Sequence, residues 1–241
     1  MKLLLIRHGD PDYTIDSLTE RGHIEAKLLA ERIATMDIKE YYMSPLGRAQ
    51  KTAEYTLDKA GRTAEVLDWA REYDVRIDDG KGGKRIPWDM LPENWTKIPE
   101  YYDKDKWFDV PIMKDAEMRS GIAKVHNGLD DLLERHGYKR EGNIYRAASP
   151  NEDTIALFCH FGVTCVMLSH LLGVSPMVLW HGTMAAPTSV TTLVTEERRE
   201  GIAVFRMTAF GDISHLYKYN EPAAFAGRFC EMFSNEDQRH D

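Results

Sequence analysis

Residues 2–10 read KLLLIRHGD, and residues 154–162 read TIALFCHFG. In each, an apolar run stops abruptly at a histidine, His8 or His160. An ionisable ring left inside an apolar core without a partner is costly, so both rings belong at a strand end rather than in mid-strand. Working outward, the pattern predicts strands over 3–6 and 154–159. Thr19 is placed to cap a helix over 20–35, with Ile24, Leu28, Leu29 and Ile33 as its buried stripe. A strand follows at 38–43. Ser44 and Pro45 then open a helix to about residue 59, since serine caps and proline suits a first turn. A strand at 65–67 completes the strand–helix alternation of a parallel sheet. Farther on, Met118, Ile122, Val125, Leu129 and Leu132 share one side of a helix over 115–136. An apolar helix over 163–172 ends at Gly173. Strands over 189–194 and 202–207 flank a turn at 195–201. The expected architecture is a three-layer α/β/α fold with a mostly parallel central sheet.

Residues 78–114 break that rhythm. They hold Gly80, Gly82, Gly83, four prolines, and Trp88, Trp95, Tyr101, Tyr102, Trp107 and Phe108. So many aromatics argue against disorder. The segment is expected to be an inserted, aromatic-rich lid region within a single domain over 1–235, with 236–241 a frayed tail.

The chain has 241 residues, 43% hydrophobic and 29% charged, which suits a globular domain. Its net charge of −8 argues against a nucleic-acid partner. The sequence predicts no membrane span, because no window of about 18 residues is apolar throughout. Cys159, Cys165 and Cys230 are an odd number and cannot all pair within the chain, so a cytoplasmic location is expected.

Ligands of open α/β sheets gather beyond the carboxyl ends of the parallel strands. If the two histidine-ended strands are parallel neighbours, His8 and His160 meet at one rim, with Arg7 beside them. Arg48, in SPLGRAQKTA early in a helix that follows a strand, faces the same rim. Two arginines and two histidines converging near a helix N-terminus suit a dianionic phosphoryl group. A neutral imidazole can attack phosphorus and split one displacement into two easier steps. Gly9 offers a carbonyl to the ring's other nitrogen. Glu72, in LDWAREYD, follows the 65–67 strand and is the candidate proton donor. A cysteine-phosphatase loop fails, since the residues six after each cysteine are Cys165, Leu171 and Glu236. Asp10, Asp12, His8 and His160 could hold a metal, but the two arginines would crowd a cation. No metal or cofactor is therefore expected.

Taken in order, LIRHGD, LTERGHIEAKLLAERI, SPLGRAQKTA and LFCHFG resemble the histidine phosphatase, or phosphoglycerate mutase-like, superfamily. The resemblance implies a phosphorylated His8, phosphoryl contacts from Arg7, Arg48 and His160, and Glu72 as proton donor. It implies metal-free work on a small phosphorylated metabolite. Three departures stand out. RHGDPDYTI lacks the family's phosphate-binding asparagine, Phe161 separates His160 from Gly162, and the aromatic segment is long. Phosphomonoester hydrolysis leads among the expected activities. Mutase-type transfer stays open, with Lys81, Lys84, Arg85 and Arg119 as its candidate extra cations, as does non-catalytic phosphate binding.

Overall fold

The computed structural model describes residues 1–114 and 117–240. Among them, eight strands form one sheet. Its order runs Ala64–Val66, Glu40–Met43, Thr154–Cys159, Lys2–Arg7, Val190–Arg199, Ile202–Asp212, Ile144–Ala147 and Tyr138–Glu141. The first four strands are mutually parallel. Every pairing from Lys2–Arg7 onward to Tyr138–Glu141 is antiparallel. The sheet is therefore mixed, a correction to the mostly parallel expectation. The strands over Val190–Arg199 and Ile202–Asp212 run through the stretch expected as a turn and shorten it to the tight reversal at Gly201.

Alternate side chains of the central strands feed two cores. Leu3 and Leu5, with Ile155, Leu157 and Cys159, point to one face. Leu4 and Ile6, with Ala156 and Phe158, point to the other. This period of two, with both faces buried, is why the strands read as unbroken apolar runs. The second face is covered by the helices Glu20–Ile33 and Gly47–Ala60. The first is covered by Met118–Arg135, Phe161–Leu172 and Pro176–Gly182. Three layers result.

Thr19 caps its helix as expected, accepting from Gly22 N. Half of the expected stripe faces inward: Leu29 and Ile33 are buried, and Leu28 is half-buried. Ile24 is exposed, and Ala26, Leu29, Ala30 and Ile33 face inward beside a fully buried Glu25. Glu25 tolerates burial because its carboxylate accepts from Asp10 N and Ala224 N at 3.0 and 3.1 Å. Gly22, a poor helix former, has a steric reason. A Cβ there would lie 2.2 Å from Asp10 O. The next helix begins at Gly47 with Leu46 as its cap residue, so Ser44 does not cap it.

The inserted segment contains the hairpin Ile77–Asp78 with Lys84–Arg85 and several short helical turns. Tyr101 and Trp107 within it are fully buried and join the first-face core with Met90, Val110 and Met113. The segment is thus packed in as a wall of the domain. The expected 115–136 helix is described from Met118 to Arg135, and Asp115 and Ala116 lie outside the described residues. Residues 236–240, where fraying is expected, instead hydrogen-bond back: Arg239 donates to Asp89 at 2.6 Å, and Gln238 accepts from Glu231 N at 3.1 Å. Asp241 is outside the described residues. Among the described residues, no helix is long and apolar enough to cross a membrane.

Candidate active site

Strand register brings the histidines together. Arg7 lies opposite Cys159, so His8 and His160 are each the next residue beyond two adjacent parallel strand ends. Their ring centroids are 5.1 Å apart. His8 N donates to Cys159 O at 3.0 Å, and Thr188 N donates to His8 O at 3.0 Å. The nucleophile candidate is therefore held by backbone on both sides. Its Nδ1 lies 2.7 Å from Gly9 O. A carbonyl oxygen can only accept, so Nδ1 carries the proton and Nε2 carries the lone pair. Burial, then the Arg7 charge, pulls the His8 pKa well below its ordinary value, with Arg48 adding to the effect, so the ring is neutral at neutral pH.

Arg7 is buried and donates Nη1 to Ala185 O at 2.5 Å, with Ala226 O at 3.4 Å. Arg48 sits in the first turn of its helix, also buried. Its Nη1 binds Asp16 Oδ1 at 2.5 Å, while Asp16 Oδ2 accepts from Gly47 N at 2.7 Å. Asp16 thus clamps one corner of the guanidinium and leaves the Nε side, which has no protein partner, for another anion. Thr52 ties the two motifs together. Its hydroxyl donates to Arg48 O at 2.8 Å and accepts from Gly9 N at 2.9 Å.

Glu72 reaches the same rim by docking on a helix N-terminus. Val163 N and Tyr73 N donate to its Oε1 at 2.9 and 2.8 Å, and Gly162 N to its Oε2 at 3.3 Å. Burial raises its pKa, and these three backbone donors only partly offset the rise. The carboxyl is thereby moved toward the range useful for proton transfer. Gly162 is the residue that makes room. A Cβ there would meet Glu72 Oε1 at 2.7 Å and Trp88 at 2.8 Å. The inserted segment thus reaches the rim through Trp88, and Trp180 closes the cluster by donating Nε1 to Gly162 O at 3.0 Å.

All five residues singled out in the sequence lie at or beside this rim. The carboxylates of the metal alternative are engaged in their own loop: Asp10 accepts from Thr19 at 2.8 Å, and Asp12 from Thr14. Sequence reasoning missed Asp16, Thr52 and Ser44. Thr52 and Ser44 stand inside the quoted SPLGRAQKTA stretch. Asp16 carried no signal beyond being an acid in a loop.

Known proteins bear on this geometry. The chain is 28% identical over 218 residues to phosphoserine phosphatase 1 of Hydrogenobacter thermophilus, covering 86% of this chain and 93% of that one. It is 33% identical over 134 residues to a 2,3-bisphosphoglycerate-dependent phosphoglycerate mutase of Thermoplasma acidophilum, covering 49% and 66%. In three dimensions it resembles a mycobacterial glucosyl-3-phosphoglycerate phosphatase, with a TM-score of 0.60, 18% identity, and 87% and 98% of the chains covered. A phosphoserine phosphatase of Entamoeba histolytica superposes with a TM-score of 0.57 at 22% identity, covering 89% and 98%. The family model of the histidine phosphatase superfamily, branch 1, matches residues 3–208 and so includes both strand-end histidines, both arginines and Glu72. On that match, the chain belongs to the histidine phosphatase superfamily.

Proposed function

We propose that this chain hydrolyses the phosphomonoester of a small metabolite through a phosphohistidine on His8. The observation that carries the reading is the His8 ring: neutral, with Nδ1–H spent on Gly9 O and the Nε2 lone pair left over. In the first step Nε2 attacks phosphorus, the phosphorus–oxygen ester bond breaks, and Glu72 gives its proton to the departing alkoxide. In the second, Glu72 carboxylate takes a proton from water, the water oxygen attacks phosphorus, and the phosphorus–nitrogen bond breaks to release phosphate. Arg7, Arg48 and His160 hold the phosphoryl oxygens through both steps. The substrate named for the Hydrogenobacter relative, phosphoserine, is itself a small phosphorylated metabolite, which supports that substrate class.

Hydrolysis is favoured over mutase transfer by the fate of three of the four extra cations. A mutase needs a second anion cradle, yet Arg119 is exposed and paired with Asp109 at 3.0 Å. Lys81 and Lys84 are exposed as well, and Arg85 is the one of the four that is half-buried, with a buried Nε that has no protein partner. The free thiols of Cys159, Cys165 and Cys230 support a cytoplasmic setting. The test is a panel of phosphomonoesters, with and without chelator, combined with rapid acid-free quenching. Acid-labile phosphate on His8 and chelator-resistant release of inorganic phosphate are expected, and His8→Ala should abolish both. Turnover without any phosphoenzyme, or a folded and active His8→Ala protein, refutes the mechanism.

A further inference from the structure

Ser44 is a third residue standing just past the end of a parallel strand. Glu40–Met43 pairs with Thr154–Cys159 in a register that sets Met43 opposite Phe158. Ser44 N donates to Phe158 O at 2.8 Å, which fixes the serine beside the His160 end of the neighbouring strand. The residue is fully buried, and its Oγ lies 2.7 Å from His160 Nε2. The same Oγ accepts from Leu46 N at 3.2 Å.

A hydroxyl has one proton to give. Among the described residues, the acceptor within reach of Ser44 Oγ is His160 Nε2. If Nε2 carried the hydrogen instead, two donors would converge on Oγ, and the serine proton would be stranded in a fully buried place. The hydroxyl therefore donates to Nε2. The proton of the neutral ring then belongs on Nδ1, and that atom is buried with no protein partner. We propose that Ser44 is a positioning residue that locks His160 as its Nδ1–H form and so turns an N–H donor toward the substrate's phosphoryl oxygen.

The proposal rests on the phosphoryl-transfer reading above and adds a division of labour to it. Both rim histidines are then the same tautomer, used from opposite sides. His8 spends Nδ1–H on Gly9 O and offers a lone pair. His160 has its Nε2 lone pair taken by Ser44 and offers an N–H. One ring attacks phosphorus while the other binds oxygen, and neither needs a positive charge. Burial first, then the neighbouring His8, Arg48, Arg7 and Arg71, holds the His160 pKa well below its ordinary value, in keeping with a neutral donor.

The test is nitrogen-15 NMR of the His160 ring in the intact, substrate-free protein at pH 7. The expected result is a pyrrole-type Nδ1 and a pyridine-type Nε2. A ring protonated at Nε2, or at both nitrogens, overturns the proposal without any variant being made. In Ser44→Ala, with folding checked by thermal melting, the Nδ1–H form should lose its dominance. The kcat/KM for p-nitrophenyl phosphate should fall about tenfold, the scale of one ordinary hydrogen bond. An unchanged tautomer in the folded variant also overturns it. An Nδ1–H ring in a wild-type protein that turns over no phosphomonoester supports the tautomer lock and refutes the hydrolytic reading, so the two fail separately.

Discussion

Gly162→Ala tests whether Glu72 works as a proton donor, without touching the carboxylate itself. The added Cβ would lie 2.7 Å from Glu72 Oε1 and 2.8 Å from the Trp88 ring. Carbon atoms are comfortable at about 3.5–4.0 Å, so the methyl intrudes on Trp88 by roughly 0.7 Å or more. Either Trp88 or Glu72 must move. Overpacking of this kind costs about 1–3 kcal/mol of stability. Moving Glu72 also weakens its bonds from Gly162 N and Val163 N, which hold it on the helix end. The chemical cost depends on the leaving group. An alkyl phosphate expels a strongly basic alkoxide and needs the proton, so its kcat/KM, which reports the phosphorylation step, should fall about 100-fold or more, roughly 2.7 kcal/mol of barrier. p-Nitrophenolate leaves unaided, so that substrate should lose less than about tenfold in kcat/KM, while hydrolysis of the shared phosphoenzyme, in which Glu72 is the base, slows equally for both. Initial rates at subsaturating concentrations of both substrates, with melting temperature as a control, decide the matter. Equal losses of kcat/KM on the two substrates refute Glu72 as the acid, whereas no loss on either means that Trp88 has yielded in its place.

Arg48→Lys keeps the charge but loses the planar fork that Asp16 orients, and kcat/KM should drop about 100-fold or more. A loss under about threefold in steady-state assays removes Arg48 from the phosphoryl site. Trp88→Ala opens the wall beside Gly162, so relative kcat/KM across a panel of metabolites should change about tenfold while turnover of p-nitrophenyl phosphate stays within about threefold. Unchanged ratios return specificity to other loops. The buried His215 has its pKa pushed down to about 4, by burial first and then by Arg32. An unfolded histidine titrates near ~6.5, so the unfolded chain binds more protons between those values, and stability falls as pH drops from about 6.5 to about 4, by roughly 3 kcal/mol at the limit. Urea unfolding at pH 7 and 4.5 should show a smaller drop for His215→Gln than for wild type, and an equal drop contradicts the assignment.

The rim where His8 and His160 meet was legible because burial on both faces leaves a simple mark, an apolar run cut off by His8 or His160. The antiparallel half left no such mark. Tyr138–Glu141 and Ile144–Ala147 read YKRE and IYRA, short and half polar, as strands toward a solvated edge are. The charged run TEERRE resembles a turn, yet most of it extends the Val190–Arg199 strand. Ser44 before Pro45 has the local signature of a helix cap, and only the register of a strand distant in sequence shows that its hydroxyl belongs to His160. Tyr101 and Trp107 announced that they must be buried, but composition alone does not say against what.

The place of Lys2–Arg7 in the sheet has a consequence for the order of assembly. This early strand lies between Thr154–Cys159 and Val190–Arg199, so both its neighbours are made late in synthesis. Until then the Leu3–Ile6 stretch has neither neighbour to join, and the first helices have only Glu40–Met43 and Ala64–Val66 as a partial floor. Pairings of such long range are slow to close, because the loop entropy is lost before the contacts form. The residues that meet at the rim come from four well-separated parts of the chain. They can come together only near the end of folding, so active protein should appear with the last cooperative step and not with an early N-terminal intermediate.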